Sequence, residues 1–521
     1  MSAELTHPRA DFDWAAVGRR AVRLLRPGSL IAATAGLLAP GLVLGPPIDP
    51  AVFVLAGSRI RDGFMPYRDL WDHKPPGGYL LNALGQAVLP WLDAWLVSWL
   101  LTVVFTAVAV LVVDDLLRRR LSAGASWGWS LLFCACVACF PVAVGGGLTE
   151  SFALLPLVAA TWAVAILPRT WRTAAAVGCA LGCACVFSLQ ALPAAAVLSG
   201  AAVWDSDWPA HLARRSIALL AGVALLPLAV IGWLAAGGAL GDAVDQVLTY
   251  NAAYRGSGSQ LLVLLPLAAL LLMFLAIPVG VALVRMVSRP RAIDRLDWVC
   301  LAWCVIYAAY IAYQGRIFLH YLIPMIPPLV VLASEGMQVL WARITSPSPS
   351  VRKIAIGLCA VAGVALVISS DVAVQLSGIA MAQASDARQV VDATDDWIEA
   401  NTPQSATIFI WGNDPAVYLG SARAPYDRYV DLFPLVTAGY SSADQAAAVL
   451  ESWQASPPAL IVESPASVPM LRPSNDAADA KGGDVDYLGS LRAFARAHYH
   501  LAVSFGALDD FNDVYVYVAP S

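Results

Sequence analysis

Residues 91–120 read WLDAWLVSWLLTVVFTAVAVLVVDDLLRRR, a long apolar stretch that is followed by three consecutive arginines. A helix of about 20 apolar residues spans the hydrocarbon core of a bilayer. Short loops rich in Arg and Lys stay on the cytoplasmic side. The stretch therefore predicts a transmembrane helix that ends at the inner face of the membrane.

The composition extends this prediction to most of the chain. Of the 521 residues, 59% are hydrophobic and only 13% are charged, whereas soluble proteins carry about 25% charged residues. A soluble fold could not bury so much apolar surface. We count about eleven apolar stretches that predict membrane helices, at residues 30–44, 91–113, 127–144, 151–167, 173–187, 191–204, 216–234, 261–284, 298–313, 321–341 and 354–370. The first resembles a signal peptide in length, but no A-x-A-like cleavage site follows it, which favours a retained helix.

The basic residues predict the orientation. Clusters of Arg and Lys fall on alternate connections, on the same side as the N-terminal arginines, and that side is predicted to be cytoplasmic. The N-terminus is then inside, and the segments 45–90, 145–150, 241–260, 314–320 and everything after residue 371 are outside. The outer tail from residue 371 carries a net charge of −12, which leaves +7 on the preceding residues. No basic patch with interleaved aromatic residues is present, so nucleic acid is not a predicted partner.

The chain divides into two predicted domains: a helical membrane domain over residues 1–371 and a small extracytoplasmic α/β domain over residues 372–521. Within the second, residues 385–401 have the spacing of an amphipathic helix. Four segments rich in β-branched and aromatic residues predict strands, at 406–411, 459–462, 500–505 and 514–518. This domain contains no phosphate-binding Gly-rich loop and no nucleophile elbow.

All nine cysteines lie in apolar stretches. The C-x-C-x-x-C run at residues 134–139 is compatible with a metal site, but no His or carboxylate accompanies it. Small residues that ease helix packing in lipid are the favoured interpretation. We predict no metal and no other cofactor.

The densest charged segment follows the first predicted helix. It reads IDPAVFVLAGSRIRDGFMPYRDLWDHKPPGGYLL over residues 48–81, and it mixes charged and aromatic residues. Charge is costly near lipid, so such a cluster indicates a functional site. Its aromatic residues predict that it lies along the outer membrane interface.

Three parts of this segment resemble the first outer loop of GT-C glycosyltransferases, in the branch of bacterial family-39-like enzymes, protein O-mannosyltransferases and the lipid A aminoarabinose transferase. They are the acidic residue Asp49, the G-x-x-P-Y-R-D turn at residues 63–69, and the W-D-H-K-P-P-G run at residues 71–77. The runs GLTESF at 147–152 and GRIFLHYLIPMIP at 315–327 resemble further outer segments of that superfamily. Many relatives have a second acidic residue where this chain has Pro50, which leaves Asp49 as the single candidate there.

The resemblance implies an inverting transferase that moves a monosaccharide from a polyprenyl-phosphate donor to an envelope glycan, glycolipid or protein on the outer side of the bacterial plasma membrane. In such a transfer a carboxylate suits the role of general base, and a cation suits the leaving phosphate. Asp49 and Glu150 are the predicted catalytic residues, and Lys74 is predicted to bind the donor phosphate.

Each assignment has a structural alternative. Asp49 before Pro50 also suits an N-cap. Glu150 suits the start of a helix, and Lys74 suits headgroup contact. Further predicted substrate or phosphate contacts are Arg68, Asp69, Asp72, His73, Arg316, His320 and Tyr321. Their alternatives are turn and salt-bridge roles for Asp69 and Asp72, and interfacial placement for His320 and Tyr321.

Weaker candidates come from position or aromatic content alone. Tyr250, Asn251, Tyr254 and Arg255 lie on another predicted outer loop. For the aromatic residues of 411–418 and 426–429, packing is favoured over carbohydrate contact.

Two other functions fit the sequence less well. A transporter of lipid-linked sugars keeps ionisable groups near the middle of the membrane, whereas here they gather at the predicted outer ends of the helices. A non-catalytic scaffold leaves the charged segment 48–81 unexplained.

Overall fold

The computed structural model describes residues 14–204, 211–256, 259–464, 471, 487–506 and 514–519. The helices before residue 345 are α1 (Trp14–Leu38), α2 (Pro40–Leu44), α3 (Ile48–Arg61), α4 (Gly77–Val88), α5 (Ala94–Arg118), α6 (Ala123–Ala138), α7 (Phe140–Ala143), α8 (Thr149–Ile166), α9 (Trp171–Phe187), α10 (Leu192–Val203), α11 (Leu212–Ala236), α12 (Leu240–Val244), α13 (Asn251–Ala253), α14 (Ser259–Leu272), α15 (Ala276–Ser288), α16 (Arg295–Gln314) and α17 (Ile326–Ile344). Short 3-10 segments occupy Leu189–Ala191, Met273–Leu275, Pro290–Ala292 and Leu319–Met325, and Asp245–Tyr250 is π-helical.

The helical membrane part is confirmed. Within the described residues, eight helical segments are long and apolar enough to cross a bilayer: Leu25–Leu44, Ala94–Arg118, Thr149–Ile166, Leu212–Ala236, Leu264–Ser288, Arg295–Gln314, Leu319–Ile344 and Pro349–Asn401. Three shorter apolar helices lie at Ala123–Ala138, Trp171–Phe187 and Leu189–Val203. Together they overlap each stretch that the sequence predicts.

Small residues bring α9 and α11 into close contact. A methyl group on Gly178 would lie 2.3 Å from the carbonyl oxygen of Leu219, and one on Gly222 would lie 2.3 Å from that of Ala175. Larger side chains at these two glycines would force the helices apart. This is the close backbone approach typical of helix pairs in membranes.

The last long helix, α18 (Pro349–Asn401), runs for 53 residues. It joins the predicted span at 354–370 to the predicted amphipathic helix at 385–401 without a break. The predicted domain boundary at residue 371 therefore lies inside one helix. The connecting stretch has no proline and a single glycine, so nothing in the local sequence ends the helix.

A small mixed sheet with flanking helices follows. Its elements are β1 (Thr407–Trp411), α19 (Ala416–Gly420), β2 (Ala424–Pro425), α20 (Phe433–Val436), α21 (Ala443–Ala455), β3 (Leu460–Glu463), α22 (Gly489–His498), β4 (His500–Phe505) and β5 (Val514–Val518). The strand order is β2-β1-β3-β5-β4. β1 is parallel to β2 and β3, and β5 is antiparallel to β3 and β4.

The four predicted strands are present, and β2 is the one that the sequence did not reveal. It has two residues, one of them Pro425. Proline is confined to sheet edges because it cannot donate a backbone hydrogen bond. A strand this short has no side-chain alternation by which a sequence pattern could identify it.

The sheet packs directly onto the membrane part. One hydrophobic cluster contains Phe53 of α3, Ile398 of α18 and Ile408 of β1. The backbone N–H of Trp71 donates to the carbonyl oxygen of Arg428 at 2.7 Å, and Arg428 pairs with Asp242 at 2.9 Å. The C-terminal part therefore fixes the loops around the segment 48–81.

The predicted orientation has a direct test. With the N-terminus inside, we expect a fusion at the C-terminus to be active with alkaline phosphatase and dark with a fluorescent protein that matures only in the cytoplasm. Fusions of both reporters after residue 120, in a predicted inner loop, and after residue 256, in a predicted outer loop, are the matched controls. The fluorescent protein should be bright only at the first point, and alkaline phosphatase should be active only at the second. A bright cytoplasmic reporter at the C-terminus would move the segment 48–81 to the cytoplasm and contradict the site proposed below.

Candidate active site

The loop between α3 and α4 has a tightly fixed backbone. The hydroxyl groups of Tyr67 and Tyr79 both donate to the carbonyl oxygen of Lys74, at 2.8 and 3.0 Å. Tyr79 also donates to Asp72 at 2.6 Å. Both tyrosines are almost fully buried, so the position of Lys74 is set by the core rather than by solvent-exposed contacts.

Lys74 faces several acidic groups. Its Nζ lies 3.8 Å from Oδ2 of Asp49 and 5.9 Å from the centre of the Tyr321 ring. Burial by itself would lower the pKa of Lys74, but the acidic side chains of Tyr321, Asp49 and Glu150 raise it above its ordinary value. Lys74 therefore stays protonated, and it supplies a fixed positive charge.

Asp49 lies in the first turn of α3 and does not cap that helix. The N-cap position is Pro47, and no side chain caps the helix there. The capping alternative for Asp49 is therefore wrong. Its side chain is 42% exposed, so Asp49 contacts Lys74 and remains open to a molecule arriving from outside.

Glu150 is brought to the same place by a glycine turn. Gly145, Gly146 and Gly147 all have positive φ, which side chains other than glycine rarely adopt. A methyl group on Gly147 would lie 2.7 Å from Cβ of Pro50, so this turn packs against the start of α3. Glu150 itself is buried in the first turn of α8 and accepts a hydrogen bond from Ser188 at 3.1 Å.

Lys74 and Glu150 border a cavity of about 310 Å³, which we call the cationic cavity, and Asp49 adjoins it through its contact with Lys74. Among the predicted site residues, it is lined by His73, Lys74, Glu150, Arg316 and Tyr321. The weaker candidates Asn251, Tyr254 and Arg255 line it as well. Three cations thus face one carboxylate, which makes the cavity suited to an anion.

Ring contacts and hydrogen bonds hold the cations in place. The guanidinium of Arg316 lies 3.9 Å from the centre of the Tyr254 ring, and that of Arg255 lies 4.2 Å from the centre of the Tyr313 ring. Asn251 donates to the carbonyl oxygen of His73 at 2.8 Å. Cations stacked on aromatic faces are oriented at modest desolvation cost. Arg255 also donates to the Tyr313 hydroxyl group, and the Nε atom of Arg316 has no partner among the described residues.

Five predicted site residues do not line the cationic cavity: Asp49, Arg68, Asp69, Asp72 and His320. Arg68 pairs with Asp69 at 2.7 Å and donates to the carbonyl oxygen of Gly237 at 2.8 Å. Asp69 accepts from the backbone N–H of Met65 at 2.8 Å, and both residues line a different cavity. Asp72 is buried beneath the loop. Asp69 and Asp72 thus have the turn and salt-bridge roles that the sequence analysis gave as the alternative to substrate contact.

His320 lies next to the cationic cavity without lining it. It stacks on Phe318 with ring centres 5.5 Å apart, and its Nε2 atom has no partner among the described residues. Its neighbour Tyr321 lines the cavity, and the Tyr321 carbonyl oxygen accepts a hydrogen bond from Tyr307 at 2.6 Å. His320 therefore supports the wall that Tyr321 forms.

The sequence did not single out Tyr310, Tyr313 and Gln314, which line the cavity from the end of α16. The available signal was the spacing of Tyr307, Tyr310 and Tyr313 at intervals of three residues near the outer end of a predicted span. Such a stripe is also typical of interfacial aromatic residues, so it is not specific. Within the described residues, no group of three or more His, Cys, Asp and Glu side chains is arranged to hold a metal ion.

Asp431 is a buried carboxyl group that the C-terminal part brings close to the site. It lies within electrostatic reach of Asp72 and Asp49, and burial raises its pKa to about 7. Its Oδ1 accepts from the backbone N–H of Phe433 at 2.8 Å. The unfolded carboxyl titrates near its ordinary value, so the folded protein binds an extra proton between about pH 4 and pH 7.

We therefore expect stability to be lost as pH rises through this range and Asp431→Asn to reduce that loss, because the amide keeps an acceptor oxygen without a charge. The measurement is the melting temperature by tryptophan fluorescence at pH 5 and pH 8. Asp444→Asn, at an exposed position in α21, is the matched control. An equal fall in melting temperature in the Asp431 variant and the original protein would contradict the prediction.

Comparison with solved structures identifies the fold. The crystal structure of ArnT from Cupriavidus metallidurans in the apo state aligns with a TM-score of 0.61 at 14% identity, over 97% of this chain and 100% of that chain. The chain has the GT-C fold. The structure of ArnT bound to undecaprenyl phosphate aligns with a TM-score of 0.60 at 13% identity over the same shares. No protein-family model and no curated protein sequence matches the chain.

The predicted GT-C fold is thus confirmed along nearly the whole chain, including the C-terminal sheet. An archaeal oligosaccharyltransferase from Archaeoglobus fulgidus aligns more distantly, with a TM-score of 0.47 at 12% identity, over 86% of this chain and 70% of that chain. Within this GT-C fold, the cationic cavity lies where the loop between α3 and α4 meets the ends of neighbouring helices.

Proposed function

We propose that this protein is an inverting glycosyltransferase that moves a monosaccharide from a polyprenyl-phosphate donor to a hydroxyl group of an envelope glycan, glycolipid or protein. The reaction takes place at the outer face of the bacterial plasma membrane. The observation that supports this function best is the cationic cavity next to Asp49, because it places anion-binding groups and a partly exposed carboxylate side by side.

The donor phosphate is assigned to Lys74, Arg255 and Arg316. All three line the cationic cavity, and ammonium and guanidinium groups form short charge-assisted hydrogen bonds with phosphate. The negative charge on this phosphate grows as the bond to the sugar breaks. Fixed cations therefore stabilise the transition state more than the ground state, which is the requirement for catalysis.

The donor lipid has an apolar groove next to the cavity. This groove of about 490 Å³ is lined by apolar side chains of α14 to α17, and it shares Tyr321 with the cationic cavity. A polyprenyl chain in the groove would leave its phosphate at Lys74. ArnT has been crystallised with undecaprenyl phosphate, which is a ligand of this chemistry on the same fold.

Asp49 is the proposed general base. The acceptor hydroxyl oxygen attacks the anomeric carbon, the bond from that carbon to the phosphate oxygen breaks, and the hydroxyl proton passes to the carboxylate of Asp49. The lipid phosphate leaves with the bonding electrons. Attack from the face opposite the phosphate inverts the anomeric configuration, and Glu150 orients the donor from the buried side of the cavity.

Release of lipid phosphate tests the function. Purified protein in lipid nanodiscs is incubated with a panel of polyprenyl-phosphate monosaccharides and an extract of envelope acceptors, and free polyprenyl phosphate is measured by mass spectrometry. We expect release with one class of donor only when acceptor is present. Movement of intact donor across vesicle membranes without release would support a transporter of lipid-linked sugars instead.

A further inference from the structure

A second cavity, of about 230 Å³, lies between the membrane part and the sheet, and we call it the junction pocket. Its membrane side is formed by residues 44–48 with Phe140 and Val144. Its other side is formed by α18 and by the loops that follow β1 and β3. Ile48 lines this pocket, and the next residue is Asp49, which contacts Lys74 of the cationic cavity.

The sheet topology makes the carboxyl ends of β1 and β3 a binding position. After β1, the chain forms β2 on one side of β1 and then β3 on the other side. In open α/β sheets, ligands bind outside the carboxyl ends of the strands at the point where the order reverses. Asn413 and Asp414 follow β1, and Ser464 follows β3. All three line the junction pocket.

The two loops are closely fitted to one another at this edge. The backbone N–H of Asn413 donates to Oγ of Ser464 at 3.0 Å. A methyl group on Gly412, which has a φ of 146°, would lie 2.1 Å from the same oxygen. Only glycine allows this approach. The polar end of the pocket is therefore rigid and already formed.

The lining is apolar except for four polar residues: Arg388, Asn413, Asp414 and Ser464. Arg388 is paired with Asp392 at 2.7 Å, so its charge is balanced. Burial raises the pKa of Asp414 to about 6, so this carboxyl group is mostly ionised at pH 7 and accepts hydrogen bonds. The pocket thus offers an amide, a hydroxyl and a carboxyl group, which form hydrogen bonds with hydroxyl groups.

We propose that the junction pocket binds the acceptor, and that the acceptor is an amphiphile with a small hydroxylated head and an apolar chain. The head meets Asn413, Asp414 and Ser464, and the chain lies along the apolar wall from the outer helix ends. Ligand pockets for drug-sized molecules measure about 300–1,000 Å³, so this smaller pocket holds a single sugar-sized group. Its mostly apolar lining favours a ligand with an apolar chain over a glycan that is polar throughout.

The proposal rests on the proposed function and narrows its acceptor to the glycolipid class. Asp49 directly follows Ile48 of the junction pocket and contacts Lys74 of the cationic cavity, although its own side chain lines neither cavity. In the proposal, the acceptor hydroxyl group reaches Asp49 from the junction pocket, and the donor phosphate lies at Lys74.

A photoreactive alkyl glycoside tests the pocket without any knowledge of the natural acceptor. The probe is octyl glucoside with a diazirine in its chain, applied to full-length protein in nanodiscs, and labelled peptides are identified by mass spectrometry. We expect saturable labelling within residues 384–391 or 413–416. In Ala387→Trp an indole fills the pocket, and labelling should fall at least tenfold.

Ala382→Trp is the matched control, because it places the same side chain at an exposed position of the same helix. The probe should label it to the same extent as the original protein. Asn413→Leu removes one hydrogen-bonding group, and we expect the half-saturating probe concentration to rise about three- to tenfold, as for one neutral hydrogen bond. Equal labelling in the two tryptophan variants, or labelling confined to other segments, would overturn the proposal.

Donor binding separates this proposal from the proposed function. Tryptophan quenching by polyprenyl phosphate should be unchanged in Ala387→Trp, which also shows that the variant is folded. If no polyprenyl-phosphate sugar is turned over while the labelling is as expected, the proposed glycosyltransferase function is contradicted and ligand binding in the junction pocket is supported. If turnover occurs and the acceptor KM is the same in Ala387→Trp and Ala382→Trp, acceptor binding in the junction pocket is contradicted and the proposed function is supported.

Discussion

Asp49→Asn is expected to give a folded, donor-binding protein whose turnover is about a hundredfold to ten-thousandfold lower, the typical contribution of general base catalysis. Asparagine keeps the shape of the side chain and an acceptor oxygen but takes no proton. Asp49 lies in the first turn of α3 without capping it, so the helix loses a charge–dipole interaction of about 0.3–1 kcal/mol, and Lys74 loses one of its acidic neighbours. The measurement is kcat for lipid-phosphate release, alongside the melting temperature.

Asp93→Asn is the matched control for this variant. Asp93 caps α5 by accepting from the backbone N–H of Leu96 at 3.0 Å, it is exposed, and asparagine caps a helix about as well as aspartate. We expect normal turnover and normal stability. If Asp49→Asn turns over at a rate close to that of Asp93→Asn, Asp49 is not the base, and Glu150 becomes the carboxylate to test.

Lys74→Ala is expected to reduce kcat/KM for the donor about a hundredfold to a thousandfold, the usual cost of removing one group that stabilises developing negative charge. The loss follows from the position of the Lys74 side chain, which is 14% exposed and lines the cavity in which the phosphate is proposed to bind. The tyrosines that fix this loop donate to the backbone carbonyl oxygen of Lys74, so they keep their partner in the variant. Folding should therefore be affected much less than donor use.

Donor affinity is measured by quenching of tryptophan fluorescence with polyprenyl phosphate at two salt concentrations. Lys353→Ala, at an exposed position near the start of α18, is the control for loss of one lysine. Lys74→Ala should weaken binding and reduce its salt dependence, whereas Lys353→Ala should do neither. Donor affinity and turnover equal to those of the control would remove Lys74 from the site.

The membrane part and the strands were predictable because their signals are local. A stretch such as residues 91–113 must form a helix in lipid, since every backbone polar group needs a partner within the segment. Strands such as β1 and β5 were visible as short runs of β-branched and aromatic residues between polar segments. The sequence does not reveal that α18 is continuous. Its composition changes from apolar to amphipathic, which is typical of a domain boundary, but no residue there ends a helix.

The site was predictable only as a region. Segment 48–81 stood out because charge near lipid is costly, and that rule applies to every charged residue in it equally. It could not show that Lys74 faces the cavity while Arg68, six residues earlier, pairs with Asp69 on another surface. Nor could it show that Tyr310 and Tyr313 complete the wall from α16.

The sequence by itself determined that this protein is a helical membrane protein with a small C-terminal sheet and one densely charged loop, since hydrophobicity and periodicity are properties of each segment alone. Only the tertiary structure decided which side chains share a cavity. Lys74, Glu150 and Arg316 belong to three separate segments that line one cavity. The packing of Gly147 on Pro50 of α3 brings Glu150 toward Lys74. The C-terminal part then fixes the loop between α3 and α4 from outside. Contacts of this kind depend on how the helices pack against one another, and no single segment encodes that packing.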